Sequence, residues 1–375
     1  MAGLYVHIPF CASRCIYCDF CSSTWGVDVQ QAYTKALTHE LQARSGEARG
    51  KEIATIYLGG GTPSVLPDDL LEHIVNGVRQ YFTISPNAEI TLEANPDDIT
   101  RERVRNWLQM GFNRLSIGIQ SLNDDVLRWL HRRHTAGKAC RAVENAYEAG
   151  MRHISIDLMY GLPSLDITQW EATLTRGLSL PVEHLSAYCL TLEDGTAMAT
   201  MVEHGEALLP SDEECEAQYR LLVEKTKAAG FEHYEISNFA RPGHHSRHNS
   251  GYWDGTPYIG LGAGAHSYDG RTRRANTCDI KAYIRRGGMA PVQTERLTTS
   301  ERMNEMIFLS LRTRHGLDLQ AFEQRYGEEM REALCAQAQS HLAAGRLERR
   351  EEHIRLTERG IFVSDDVISD LLVGV

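Results

Sequence analysis

Short apolar runs alternate along the chain with longer runs in which apolar residues recur every three or four positions. The short runs predict strands at Leu4–Ile8, Ile53–Leu58, Glu89–Glu93, Arg114–Ile119, His153–Met159 and Leu185–Leu190. The longer runs predict amphipathic helices, which include Gln30–Ala43, Asp68–Phe82, Arg101–Met110, Gly137–Ala149 and Asp212–Ala229. Strands that alternate with helices form parallel sheets. The pattern therefore predicts an α/β fold whose sheet curls into a barrel or a partial barrel.

The pattern changes twice further along the chain. Beyond about Thr191 it loosens, and near Arg296 it gives way to charged helices. These later elements are predicted at Ser300–Thr313, Leu319–Gly327 and Glu329–Ala344, followed by a charged ribbon at 346–355 and a last helix near Thr357. We predict three regions: a barrel at residues 1–235, a connecting segment rich in glycine and aromatic residues at 236–295, and a small, mostly helical, winged-helix-like domain at 296–375.

Polar residues gather where the predicted strands end. Cysteines follow the first strand, a triple glycine follows the second, and the next three strands carry Glu93, Gln120 and Asp157 at or near their ends. In barrels of parallel strands the ligand lies at the carboxyl ends of the strands, so we expect these residues to form one site. Each feature alone also has a simpler interpretation, such as a plain glycine turn or, for Glu93, an ion pair with a nearby arginine.

Three cysteines in the first loop, Cys11, Cys15 and Cys18, have the spacing C-x3-C-x2-C. Three thiolates so close together can hold an iron–sulfur cluster, and a cubane with only three cysteine ligands has one open iron. Structural zinc usually takes two separated pairs of ligands. Cys21 leaves two alternatives open, because four thiolates could form a closed electron-transfer cluster or a compact zinc site.

Charge and composition narrow the class of protein. The chain has 375 residues and a formal net charge of −11, which disfavours nucleic acid as the main partner and, with it, RNA modification. It has no apolar run of about eighteen residues, so no transmembrane helix is expected, and peripheral membrane contact stays open. The remaining cysteines are scattered without disulfide-like spacing: Cys140, Cys189, Cys215, Cys278 and Cys335. With an oxygen-sensitive cluster, this predicts a reducing cytoplasm.

Several motifs together resemble one subgroup of the radical S-adenosylmethionine (SAM) superfamily: Tyr5–Phe10, Gly59–Ser64, Thr91–Pro96, Arg114–Leu122 and Asp157–Pro163. That subgroup contains the oxygen-independent coproporphyrinogen dehydrogenases and their heme-chaperone relatives. The resemblance implies a partial (β/α)6 barrel and a 4Fe–4S cluster held by three cysteines, with SAM on the fourth iron and Cys21 as a spectator. The cluster ligands it implies are Cys11, Cys15 and Cys18, and the SAM-binding residues are Tyr5, Gly60, Gly61, Thr62, Glu93, Gln120, Arg132 and Asp157.

Three features favour the heme-chaperone branch, HemW. Phe20 stands where the dehydrogenases carry a further cysteine, and the cysteines begin at residue 11, whereas the dehydrogenases have a long N-terminal extension. The segment His248–Trp253 matches the H-N-x-x-Y-W motif that marks the heme-binding relatives. Imidazole commonly holds heme iron, so His248 is the candidate heme ligand. A packing role for His248 stays open, as does ligation by one of its neighbours His244, His245 and His266.

The sequence therefore predicts a cytoplasmic heme chaperone that binds heme, a 4Fe–4S cluster and SAM, and that transfers heme to acceptor proteins. No residue is assigned a catalytic role. The alternative is an enzyme, an oxygen-independent coproporphyrinogen dehydrogenase that converts propionate groups to vinyl groups by radical oxidative decarboxylation.

Overall fold

A large twelve-stranded sheet organises the protein, as seen in a computed structural model that describes residues 1–48, 50–289 and 291–374. Its strands are β1 (Ala2–Ile8), β2 (Ile53–Gly60), β3 (Ile84–Ala94), β4 (Arg114–Gln120), β5 (His153–Tyr160), β6 (His184–Cys189), β7 (Glu232–Glu235), β8 (Asn238–Ala240), β9 (Tyr258–Leu261), β10 (His266–Tyr268), β11 (Thr272–Asn276) and β12 (Val292–Arg296). Strands β1 to β6 lie side by side in chain order, and each is parallel to the next.

Parallel neighbours need crossover connections, and helices provide them here. The crossover helices are α1 (Val27–Arg44), α2 (Asp68–Tyr81), α3 (Arg101–Met110), α4 (Asp124–Trp129), α5 (Ala136–Glu148) and α6 (Ile167–Ser179), and α7 (Ala197–Glu203) and α8 (Asp212–Ala228) follow β6. The predicted α/β partial (β/α)6 barrel is thus confirmed. None of the helices in the described ranges is both long and apolar enough to cross a membrane.

Helix α3 shows how local sequence sets these elements. Its buried residues Val104, Trp107 and Met110 are three apart and lie on one face. The helix begins at Thr100, whose side chain accepts a hydrogen bond from the backbone of the first turn, and it ends at Gly111 with a left-handed φ of 96°. Strand β1 is buried at all but one position, as expected for a parallel strand covered on both faces.

The chain beyond Thr191 extends the sheet at both edges, which the sequence pattern did not predict. Strand β9 pairs parallel with β1, and β10 to β12 continue that edge in antiparallel order. Strands β8 and β7 extend the opposite edge beyond β6. The segment at 236–295 therefore adds strands to the barrel sheet, with α9 (Arg247–Trp253) and α10 (Ile280–Arg285) between them. These strands are too short to give a clear alternating pattern.

The C-terminal region has an apolar core of its own, which includes Ile307, Phe322 and Leu334. Its elements are α11 (Thr299–Leu311), β13 (Leu317–Asp318), α12 (Leu319–Tyr326), α13 (Glu328–Ala343), β14 (Leu347–Arg350), β15 (His353–Leu356), α14 (Glu358–Phe362) and α15 (Ser364–Ser369). Strand β15 lies between β13 and β14 in an antiparallel sheet. The order helix, strand, two helices and two strands is that of a winged helix, in agreement with the prediction of a mostly helical domain.

A disulfide joins Cys21 to Cys278, whose Cα atoms lie 5.7 Å apart. The expectation that Cys278 has no disulfide partner is therefore wrong. The two cysteines are 257 residues apart in sequence, and the pairing of β9 with β1 brings their surroundings together. The scattered cysteines consequently lend no support to a reducing compartment, and that expectation depends on the cluster alone.

Candidate functional site

A cavity of about 410 Å³ lies at the carboxyl ends of the parallel strands. Nearly all the predicted cluster and SAM residues line it: Cys11, Cys15, Cys18, Gly60, Gly61, Thr62, Glu93, Gln120, Arg132 and Asp157. Tyr5 and His248 are the predicted residues that do not. The chain thus brings side chains from separate strand ends to one place, as parallel barrels do.

The loop after β1 carries three unpaired thiols into this cavity. Two backbone hydrogen bonds hold the loop, from Cys11 N to Ser23 O at 2.8 Å and from Cys18 N to Cys15 O at 3.3 Å. Burial raises the pKa of Cys11 and of Cys18, so a cation is needed to draw them into the thiolate form. Cys21 is excluded from this group because its sulfur is taken up by the disulfide.

The spacing of the three sulfurs distinguishes between kinds of metal site. The three do not form a group whose ligand atoms all lie within 4.8 Å of one another. Two sulfurs on one zinc ion lie at most about 4.6 Å apart, which is twice the Zn–S bond length. In their present positions the three sulfurs are not gathered as ligands of one zinc ion are, and a larger polynuclear cluster needs the wider spacing.

Arg132 brings positive charge to the thiols. Its Nη1 donates a hydrogen bond to Cys15 Sγ at 3.3 Å, and its Nη2 donates to Gly118 O. Thr62 Oγ1 donates to Cys11 Sγ at 3.5 Å. The Nε of Arg132 is buried and has no hydrogen-bond partner among the described residues. Because a buried unpaired donor is unfavourable, Arg132 is suited to bind a further anionic group in the cavity.

The triple glycine packs directly against β1 and the cysteine loop. Gly60 has a φ of 109°, and a Cβ there would lie 2.4 Å from the ring of His7. A Cβ on Gly61 would lie 2.7 Å from Phe10 O, which is backbone and cannot move aside easily. Glycine is thus required at both positions for close packing, whether or not the loop also binds a ligand.

Glu93 faces the cavity from the end of β3. Its carboxylate accepts hydrogen bonds from Tyr57 Oη at 2.7 Å and from Gly60 N at 3.1 Å. Removal from bulk water raises the pKa of Glu93 to about 7. The partners are a phenol and an amide, so the alternative of an ion pair with arginine is not what the structure shows.

Asp157 faces the same cavity from β5. Ser116 Oγ donates a hydrogen bond to it at 3.1 Å, and burial raises its pKa. Neither Asp157 nor Glu93 forms an ion pair with a lysine or arginine in the described part of the chain. Two half-buried acids without cationic partners favour a ligand that carries positive charge.

Tyr5 lies outside the cavity lining. Its hydroxyl group hydrogen-bonds His7 Nδ1 at 3.0 Å, and its ring packs against Tyr57 and His248 with centroid distances of 6.2 and 6.5 Å. His7 Nε2 in turn hydrogen-bonds the backbone oxygen of Cys21 at 2.8 Å. Tyr5 therefore supports the cysteine loop through His7. Its contact with SAM stays a prediction.

His248 is buried in the barrel interior, and both of its ring nitrogens have partners. Nδ1 hydrogen-bonds Thr55 Oγ1 at 2.8 Å and Nε2 hydrogen-bonds Tyr252 Oη at 2.9 Å, while the ring stacks on Tyr57 at 5.1 Å. Burial lowers the pKa of His248 to about 3. With no free nitrogen, His248 does not fit the role of heme ligand in this arrangement. The next residue of the motif, Asn249, does line the cavity.

The neighbouring histidines considered as alternative heme ligands lie elsewhere. His244 Nδ1 lies 2.9 Å from the carboxylate of Glu183, and His245 Nε2 lies 3.1 Å from that of Glu232. His266 is exposed on β10. None of the three lines the cavity that holds the cysteines.

Sequence reasoning missed several side chains that line the cavity: Tyr57, Ser116, Ser186, Tyr188 and Cys189. The period of two along each strand could have found some of them. On β4, for example, Ser116, Gly118 and Gln120 alternate and all line the cavity.

Comparison with known proteins agrees with this geometry. The radical SAM superfamily profile matches residues 5–176, and the HemN C-terminal domain matches residues 297–363. The structure of coproporphyrinogen III oxidase (HemN) from Escherichia coli, a radical SAM enzyme, superposes with a TM-score of 0.86 at 23% identity, covering 100% of this chain and 90% of that one. At this identity the match establishes the fold.

Two curated relatives match along nearly their whole length. The heme chaperone HemW of Mycobacterium tuberculosis is 37% identical over 377 residues, covering 99% of this chain and 94% of that protein. The heme chaperone HemW of Bacillus subtilis is 34% identical over 376 residues, covering 99% of both. This chain therefore belongs to the radical SAM superfamily and, within it, to the HemW heme-chaperone family.

Proposed function

We propose that this protein is a heme chaperone that binds a 4Fe–4S cluster, SAM and heme, and that passes heme to acceptor proteins. The observation that carries the proposal is the convergence of three free thiols from one loop, an arginine and two half-buried acids in one cavity of a HemW-family chain. We also propose that it works in the cytoplasm, where three free thiols and an oxygen-sensitive cluster persist.

The residues present fit an open-iron cluster. Cys11, Cys15 and Cys18 are free, line the cavity and are not gathered within 4.8 Å of one another. Arg132 lies beside Cys15 and balances part of the negative charge that three thiolates would bring. When bound, the cluster and SAM supply one-electron chemistry. The chain itself positions the three thiols and keeps Cys21 away from the cluster in a disulfide. Arg132 balances part of the negative charge of the thiolates.

The charges of the cavity also fit SAM. This ligand carries an ammonium and a sulfonium group, which are positive, and one carboxylate. Four acids and three arginines line the cavity; among them, Glu93 and Asp157 form no ion pair with a lysine or arginine of the described residues, and the Nε of Arg132 has no hydrogen-bond partner there. Because opposite charges in a buried site attract strongly, we assign Glu93 and Asp157 to the cationic groups of SAM and Arg132 to its carboxylate. Gly60, Gly61, Thr62 and Gln120 line the remaining surface.

The raised pKa of Glu93 predicts that SAM binding depends on pH. The ionised carboxylate attracts a cation and the neutral acid does not, so affinity should rise as pH increases through about 7. The ionised fraction grows from about one tenth at pH 6 to about nine tenths at pH 8, which predicts an affinity gain of about tenfold. Isothermal titration of cluster-loaded protein with SAM at several pH values measures it. Glu93→Gln should bind SAM weakly and without this gain.

Glu102→Gln, which removes an exposed carboxylate, serves as the matched control and should keep the wild-type profile. A Glu93→Gln variant with the wild-type pH profile would assign the titration to another group. Asp157, which lies in the same cavity and whose pKa burial raises, would then be the next residue to test.

Heme binding completes the proposal, and the names of the curated relatives support it. The proposal predicts that cluster-loaded protein takes up hemin in a saturable manner, seen as a shift of the Soret band. It also predicts no protoporphyrinogen when the protein is incubated anaerobically with dithionite, SAM and coproporphyrinogen III, under conditions where HemN of Escherichia coli forms it. Formation of protoporphyrinogen would show that the protein is a coproporphyrinogen dehydrogenase. An unchanged Soret band would show that it does not bind heme.

A further inference from the structure

Three metal-binding side chains converge at the opposite end of the barrel from the cysteines. His153 Nδ1 and His244 Nδ1 lie 2.8 and 2.9 Å from the same carboxylate oxygen of Glu183, and the two imidazole rings are 5.8 Å apart. His153 is the first residue of β5, whereas Asp157 at the cysteine cavity is four residues along the same strand, about 13 Å away. The group is therefore separate from the cluster site.

This grouping is unusual within the described residues. It is the single set of three or more histidine, cysteine, aspartate or glutamate side chains there whose ligand atoms all lie within 4.8 Å of one another. Ligands on one zinc ion are at most about 4.4 Å apart when each bond is about 2.0–2.2 Å. Only small side-chain movements are thus needed to bring all three atoms onto one ion.

Backbone hydrogen bonds hold the three residues in place relative to each other. Glu183 N donates to Ile154 O at 3.1 Å, next to His153. Arg241 N donates to Glu183 O at 2.8 Å, and His244 N donates to Arg241 O at 3.0 Å. The three donors therefore come from segments that the main chain already joins, so little ordering is needed when an ion binds.

The neighbouring arginines make other contacts. The guanidinium of Arg152, next to His153, donates to Tyr147 O at 2.6 Å. That of Arg114 donates to His244 O at 3.4 Å and lies 3.8 Å from the carboxylate of Glu89. The Arg241 guanidinium lies over the ring of Phe231 at 4.8 Å, and its nitrogens are directed to the backbone oxygens of Val182 and Ala229. The Glu183 carboxylate therefore contacts the imidazoles of His153 and His244. A metal ion bound here would take the place of the imidazole protons that face this carboxylate.

We propose that His153, Glu183 and His244 form a binding site for a divalent transition-metal ion. Zn²⁺ is the ion used to test this site. Two imidazoles and one carboxylate are a recurrent ligand set for zinc, with a fourth position left to water or to a further ligand. His153 and His244 are partly exposed, so the ion can enter from solvent. The bound ion would join β5 and the start of β6 to the segment that leads into α9.

The test uses full-length protein with its cluster reconstituted anaerobically, so that Cys11, Cys15 and Cys18 are occupied. After removal of loose metal on a chelating resin, Zn²⁺ is titrated in competition with a chromophoric chelator. His153→Gln, Glu183→Gln and His244→Gln each remove one ligand. His204→Gln is the matched control, because it removes an exposed imidazole that also lies near a carboxylate, Glu206, but has no second histidine.

We expect one Zn²⁺ per wild-type chain and a loss of affinity of at least about tenfold in each of the three variants. The His204→Gln variant should bind as the wild type does. Zinc-edge X-ray absorption of the wild type should show only nitrogen and oxygen neighbours at about 2.0–2.2 Å. Equal affinity in the variants, sulfur neighbours at about 2.3 Å, or no zinc on the wild type would overturn the proposal. Should a variant fail to fold, the wild-type X-ray spectrum alone decides.

Discussion

Cys11→Ala, Cys15→Ala and Cys18→Ala are each expected to abolish the cluster, leaving a colourless protein with only traces of iron after anaerobic reconstitution. Each cysteine supplies one of three thiolates, and two thiolates cannot hold a cubane at this loop. Iron analysis and visible absorption of the reconstituted variants measure the effect. The fourth cysteine of this loop, Cys21, cannot replace a lost ligand while it is bonded to Cys278.

Cys21→Ala is the control, and it should keep the brown colour and the iron content of the wild type. Its sulfur belongs to the disulfide in the structure, while the free thiols of the loop after β1 are those of Cys11, Cys15 and Cys18. If Cys21→Ala bleached the protein, the cluster would have four thiolate ligands. The cluster would then have no open iron, and the proposed binding of SAM to it would be wrong.

His248→Ala is expected to destabilise the protein by about 3 kcal/mol while hemin binding persists. The substitution leaves a cavity next to Tyr57 and removes the partner of both Thr55 and Tyr252 inside the barrel. Urea denaturation measures the stability, and hemin titration below the unfolding range measures the binding. A structural role thus predicts lost stability with a wild-type Soret shift.

Tyr252→Phe measures the contribution of one hydrogen bond without the packing defect that His248→Ala leaves. It removes the hydroxyl group that hydrogen-bonds His248 and retains the aromatic ring. We expect a smaller loss, of about 1 kcal/mol. The opposite pattern for His248→Ala, wild-type stability with no Soret shift, would show that the imidazole leaves its two hydrogen bonds to ligate heme iron. The assignment of His248 as a structural residue would then be wrong.

The sequence was sufficient to predict the barrel and the end of it at which the candidate site lies. Six strands with a buried pattern, each followed by an amphipathic run, have few arrangements other than a parallel sheet. Once the sheet is parallel, Glu93, Gln120 and Asp157 must share one end of it, because each lies at or near the carboxyl end of its strand. Their place on the cavity follows from topology and needs no knowledge of side-chain contacts.

The parts that the sequence did not predict depend on contacts between distant segments. Strands β7 to β12 are short and lie at the sheet edges, so their pairing partners decide their conformation more than their own pattern does. The bond between Cys21 and Cys278 exists because β9 pairs with β1. The burial of His248 depends equally on Thr55 of β2, which the motif around the histidine cannot reveal.

We propose that the cluster keeps one iron free for SAM beside Glu93, Arg132 and Asp157. Electron paramagnetic resonance of the reduced cluster, recorded with and without SAM, tests this proposal. We expect SAM to change the g values of the wild-type signal, and Glu93→Gln to need more SAM for the same change. A spectrum that SAM leaves unaltered, from a cluster with its full iron content, would show that no iron is open to SAM.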